Sequence, residues 1–166
     1  MNELKIMEKF ISKVKEEISP YKEVFSPLER QFRCCIKKDE IKPIELQLQA
    51  NFYQDNLELM IFPDPRIIKK ENIISIIKFI NAVNSYKINY SLLGRFIVLE
   101  DDLDIAFATN LSYDFIESYD EYFHQSVIKP IEIFCDILIL LYLLSIGHTN
   151  FDMCIQMLDK KWGTIK

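Results

Sequence analysis

Residues 44–63, IELQLQANFYQDNLELMIFP, alternate apolar and polar side chains with a period of two. Ile44, Leu46, Leu48, Ala50 and Phe52 form one series, and Glu45, Gln47, Gln49, Asn51 and Tyr53 form the other. Successive side chains of a strand point to opposite faces, so this pattern demands a strand with one buried and one wet face. The segment QDN then makes a tight connection, because Asp and Asn tolerate turn geometry. Leu57, Leu59 and Ile61 resume the alternation against Glu58, Met60 and Phe62, which predicts a hairpin. A hairpin with one greasy face is not stable alone, so other elements must cover that face.

The flanking segments supply the cover. Leu4, Met7, Phe10, Ile11, Val14 and Ile18 fall on one side of a helix over residues 3–18, which Pro20 stops. Residues 20–30 hold Pro20 and Pro27 and read as a loop. QFRCCIK, residues 31–37, alternates as a strand, and KDEIKP is a turn. After Pro63, Asp64 stands where it can cap a helix and Pro65 fits its first turn. That helix is expected from Ile67 to Asn84, with Ile73, Ile76, Ile77, Ile80 and Val83 on one side. Residues 86–93 fit either a loop or a strand. Beyond Gly94, RFIVLE and LDIAFATNL form a second hairpin about an Asp-Asp turn. From Asp114 to Ile146 the apolar rhythm is helical, and Pro130 within it predicts a kink or a break. Gly147 ends that helix. Phe151, Cys154, Ile155, Leu158 and Trp162 mark a short last helix capped by Thr149 or Asn150. The expected class is α+β in the order α-βββ-α-ββ-α(-α), an antiparallel sheet of about five strands with helices on one face. Residues 1–166 are expected to form one domain, with 146–166 as a C-terminal extension.

Composition narrows the function. A net charge of −5, with no basic arm, opposes the phosphate contacts on which nucleic-acid binding depends. The apolar run ILILLYLLSIG holds about 11 residues, whereas a membrane span needs roughly 20. The first residues lack the apolar core of a signal peptide. Four cysteines without a C-x-x-C pair are expected to be reduced thiols in a cytoplasm, with Cys34 and Cys35 pointing to opposite faces.

Reactive constellations are sparse. His124 and His148 have no i, i+4 partner for a helical metal site, and His124 lies eleven residues from Cys135. The cluster EDDLD contains Asp101, Asp102 and Asp104, but it lacks the glycine of a calcium loop and reads as a solvated hairpin turn. Glu132 and Asp136 share one helical stripe, read as the exposed side of a largely buried helix. With three glycines in all, the chain has no phosphate-binding loop. The glutamine-rich strand face remains: Gln47, Gln49, Tyr53 and Met60 combine hydrogen-bonding groups with adaptable apolar area, as contact surfaces do. It also reads as the ordinary wet face of an antiparallel sheet.

Three stretches, ELQLQANFYQDNLELMIFP, ENIISIIKFINAVN and GRFIVLEDDLDIAFATNL, carry a resemblance. Their order, between an amphipathic first helix and a closing helix, resembles the YbjN-like family, whose fold is shared with class I type III secretion chaperones. The resemblance spans roughly residues 3–146, and the tail with Trp162 departs from it. It implies a small cytoplasmic bacterial protein, often a homodimer, that binds a partner protein and catalyses nothing. The charge, the short apolar run and the sparse reactive residues above lead to the expectation of no cofactor, no metal, no nucleic acid and no membrane. The function expected is therefore a chaperone-like or regulatory module that binds a partner through its sheet face or edge. An immunity-type inhibitor of a toxin is the alternative, since acidity steers a protein onto basic enzymes. A small-ligand binder or enzyme with a pocket between sheet and long helix comes third.

Overall fold

A computed structural model describes residues 3–164. Met1, Asn2 and the last two positions of the expected C-terminal extension, Ile165 and Lys166, lie outside the described residues. The element order is α1 (Glu3–Ile18), β1 (Tyr21–Ser26), β2 (Gln31–Ile36), β3 (Glu45–Phe52), β4 (Asn56–Asp64), α2 (Ile73–Ser85), β5 (Arg95–Leu99), β6 (Asp104–Ser112), α3 (Tyr113–Ser118), a π-helical turn His124–Ile128, α4 (Lys129–Ser145) and α5 (Phe151–Trp162). The strands form one antiparallel sheet in the order β1-β2-β3-β4-β6-β5.

The period-two reading of residues 44–63 holds. Leu46, Leu48, Ala50 and Phe52 on β3, and Leu57, Leu59 and Ile61 on β4, are buried, while the residues between them are half-buried. Leu48 stands opposite Cys34 on one side and Ile61 on the other. Helices cover this face alone. Phe10 of α1 meets Phe52 and Phe123 edge-on at 5.8 and 5.9 Å, and Phe134 of α4 meets Phe96 at 5.0 Å. Edge-to-face aromatic pairs of this kind contribute beyond the area they bury. The α+β class with helices on one side of an antiparallel sheet is therefore observed, with six strands rather than about five.

The additional strand, β1, lies where a loop was expected. It is an edge strand, exposed or half-exposed along its whole length, so burial imposes no alternation on its sequence. A bulge between Tyr21 and Val24, with Lys22 at φ 51°, interrupts its pairing with β2. The second correction concerns α2, which starts at Ile73 rather than Ile67. Asp64 stays in β4 and accepts a hydrogen bond from Gln47 at 2.6 Å, so it caps no helix. Ile76, Phe79, Ile80 and Val83 of α2 are buried, whereas Ile73 and Ile77 are only half-buried. On α1, Ile6 is buried and Leu4 is 47% exposed, the reverse of the sequence pattern.

The helical stretch 114–146 is interrupted, but ahead of Pro130. Helix α3 ends at Ser118, and the π-helical turn His124–Ile128 runs without a break into α4, where Pro130 is the second residue and has no N–H to bond back into that turn; the Gln125 carbonyl there accepts from the Leu93 N–H at 3.3 Å. Gly147, at φ 74°, closes α4. Asn150 caps α5 by accepting from the Met153 N–H at 3.0 Å. The last helix is fastened by Trp162, whose indole N–H donates to Asp136 at 2.8 Å and whose ring meets Tyr86 edge-on at 5.3 Å.

Candidate functional site

The uncovered face of the sheet can be laid out row by row from the strand registers. One row runs Cys35, Gln47, Phe62; the next runs Arg33, Gln49, Met60, Ala108, Arg95; the third runs Gln31, Asn51, Glu58, Asn110. Gln47, Gln49 and Met60 thus share this face as the sequence predicts, with Gln49 directly opposite Met60. Tyr53 lies just past the end of β3, 49% exposed, and its hydroxyl donates to Glu58 at 3.1 Å.

The face divides into two halves. On β2, β3 and the neighbouring end of β4 the polar groups bind one another. Gln31 and Gln49 donate to Asn51 at 2.6 and 3.3 Å, and Asn51 donates to Glu58 at 2.9 Å. Glu58 keeps the Tyr53 phenol protonated, raising its pKa. The other half is apolar: Met60 and Phe62 on β4, Ala106 and Ala108 on β6, Ile97 and Leu99 on β5. Arg33 and Arg95 stand exposed at the two ends of one row, and neither has an ion pair among the described residues. Four strand steps of about 4.8 Å put them roughly 19 Å apart.

One charge in this region is buried, and the sequence did not mark it. Asp104 is 5% exposed, whereas Asp101 and Asp102 are exposed as expected for a turn. Burial pushes the Asp104 carboxyl up to about 6, against the bond from the Ile105 N–H and the Arg66 guanidinium 3.7 Å away, with Asp102 and Asp64 adding to the rise. Only its position in the register, next to Leu99, distinguishes it from its neighbours.

The remaining candidates do not converge. His124 and His148 are exposed, one on the π-helical turn and the other in the loop between α4 and α5. His124 borders a cleft of about 510 Å³ between α1 and the π-helical turn, lined by Lys13, Glu17, Asp120 and Lys129 among others. Glu132 is exposed, and Asp136 is engaged by Lys161 and Trp162 rather than by Glu132. All four cysteines are free thiols. Burial pushes Cys34 up to about 12 and Cys135 up to about 11, and it raises Cys35 and Cys154. No group of three His, Cys, Asp or Glu residues among the described residues is placed to hold a metal. No helix among them is long and apolar enough to cross a membrane.

A second cleft, of about 520 Å³, opens where β5 ends beside β6. Leu93, Arg95, Thr109, Asn110, Leu111 and Phe115 are among its lining residues. Gly94 lines it too; the sequence marked it as the residue before β5, and placed Arg95 and 109–111 on strands without marking a cleft. A Cβ on Gly94 would lie 2.5 Å from the Ala108 carbonyl oxygen, so the chain passes the sheet edge at a distance only glycine allows. Comparison with protein-family models, with curated proteins and with solved structures found no match.

Proposed function

We propose that this protein is a non-enzymatic binding module, chaperone-like or regulatory, that holds a partner protein on the uncovered face of its sheet. The observation that carries the reading is the division of that face. Half-buried Met60, Phe62, Ile97 and Leu99 offer apolar area beside a fixed amide network, with an unpaired arginine at either end. A merely wet sheet face has no need of such an apolar strip. A partner surface that excludes water from it gains the transfer free energy of that area, about 25 cal/mol per Å². Arg33 and Arg95 then orient the partner through its carboxylates. The YbjN-like and secretion-chaperone resemblance belongs to the same proposal. It is supported by the run β2-β3-β4-α2-β5-β6-α4.

The test is capture of the native partner, identified by mass spectrometry, with light scattering to count protomers. Gln49→Arg places a third cation on this face, directly across from Arg33, and weakens capture, while Ile139→Lys, on the exposed side of α4, leaves it intact. Both substitutions fall at solvent-accessible positions, so the melting temperature stays nearly unchanged. Equal capture by the two variants would remove the sheet face from consideration.

A further inference from the structure

Strand β6 is longer than the strand that covers it. Strand β5 pairs with β6 only from Asp104 to Ala108, leaving positions 109–112 without a neighbour on that side. Which backbone groups are stranded there follows from two fixed points. Phe96 turns away from β6, because its N–H donates to the Asn84 side chain at 2.9 Å and its carbonyl accepts from it at 2.8 Å. Both groups of a residue in an antiparallel ladder point to one side, and successive residues alternate. Phe96 stands opposite Phe107, so Phe107 faces β4, and Ala106, Ala108 and Asn110 face the β5 side. The far end agrees: the Tyr113 N–H donates across to the Asp55 carbonyl at 3.0 Å, on the β4 side. The N–H and C=O of Asn110 therefore project together into the vacated space, and neither has a partner among the described residues.

The space is a formed cleft, not open surface. At Gly94 the chain leaves the sheet, and the Leu93 N–H bonds to the Gln125 carbonyl at 3.3 Å. Leu93, Leu111 and 37%-exposed Phe115 wall the helix side of the cleft, and Arg95 and the Asn110 side chain border its other side. The sheet's opposite edge is guarded: β1 is bulged, and Glu23 is held by Lys15 at 2.7 Å. The outer side of β5 is guarded as well, by Asn84. The Asn110 edge has neither device.

We infer that the β6 edge at Asn110 takes an extended segment of a partner protein as an added strand, an acidic residue flanked by apolar ones. The inference rests on the partner-binding reading above and names the segment that is bound. A paired donor and acceptor at strand spacing is matched by another extended backbone. The residue opposite Asn110 then projects beside Arg95, whose guanidinium has no acid among the described residues, and its two neighbours project toward Leu93, Leu111 and Phe115.

The probe is a capped peptide of alternating valine and glutamate, compared with the same peptide carrying lysine for glutamate. Titration into the full chain, followed by amide NMR, shifts the Asn110 and Ser112 resonances, and the glutamate peptide binds at least about ten-fold more tightly. Arg95→Glu reverses that preference. Phe115→Asp, at an exposed position, weakens both peptides. Asn110→Pro deletes the outward N–H, leaves the β4 ladder intact and abolishes the Ser112 shift. Equal affinity for the two peptides, or shifts centred on α4 and α5, overturns the inference. With the native partner, capture lost in Gln49→Arg but kept in both Asn110→Pro and Phe115→Asp overturns the edge and leaves the face. Capture lost in the two edge variants and kept in Gln49→Arg upholds the edge and overturns the face.

Discussion

Replacing Asp104 with asparagine should stabilise this protein at neutral pH and leave it nearly unchanged in acid. The carboxyl is pushed up to about 6 from the ordinary 3.8 of an aspartate, because it is 5% exposed and its cation, Arg66, is 61% exposed and 3.7 Å away. A raised pKa in the folded state means that the folded chain binds the proton more tightly than the unfolded chain. The stability associated with protonated Asp104 is fully present below pH 3.8 and is lost as the pH rises through about 6. The gap is roughly two units, and at about 1.4 kcal/mol per unit the ionised form costs up to about 3 kcal/mol. Water around the half-open Arg66 lowers that figure, and about 2 kcal/mol is the effect to look for. Asparagine has the shape of the protonated acid and no titration. Urea denaturation of both proteins between pH 3.5 and 8 reads the effect as a difference, in which the other carboxylates cancel. The difference should be near zero at the acid end, grow between pH 4 and 6, and stay flat above 6.5 in favour of Asp104→Asn. A difference that does not vary with pH, or one that favours aspartate above pH 7, would refute the account of this carboxyl.

Two further outcomes test the sheet itself. Leu48→Ala empties a fully buried site between Cys34 and Ile61 and should cost about 2–5 kcal/mol in urea denaturation, with the denaturant slope unchanged. Asn84→Ala strips the N–H and the carbonyl of Phe96 of their partners at a part-buried position, at a cost of about 1–3 kcal/mol. Hydrogen exchange of the Phe96 amide should quicken in that variant, while the Leu48 amide of the central strand stays protected until global unfolding.

One-sided burial leaves a pattern that can be read from residue types alone. Strands β3 and β4 were legible because one face had to be apolar and the other did not. The same rule put Gln47 and Gln49 on one face and Met60 on the polar side of its own strand, and the register, with Gln49 opposite Met60, makes these one surface. Local chemistry was legible as well: Gly147 ends α4, and of the two caps the sequence offered for α5, Thr149 and Asn150, Asn150 is the one used. Features whose environment comes from distant parts of the chain left no such pattern. Strand β1 is wet on both faces, so burial put no period into its sequence. Asp104 reads like its exposed neighbours until pairing with β5 buries it. Asn84, near the end of a helix, acts as a strand partner because α2 lies against β5. The open edge at Asn110 exists because β5 stops short of the end of β6, a difference in length between two strands brought together by folding. Residue types along a chain record which side chains are shielded from water. They do not record which backbone groups are left without a neighbour.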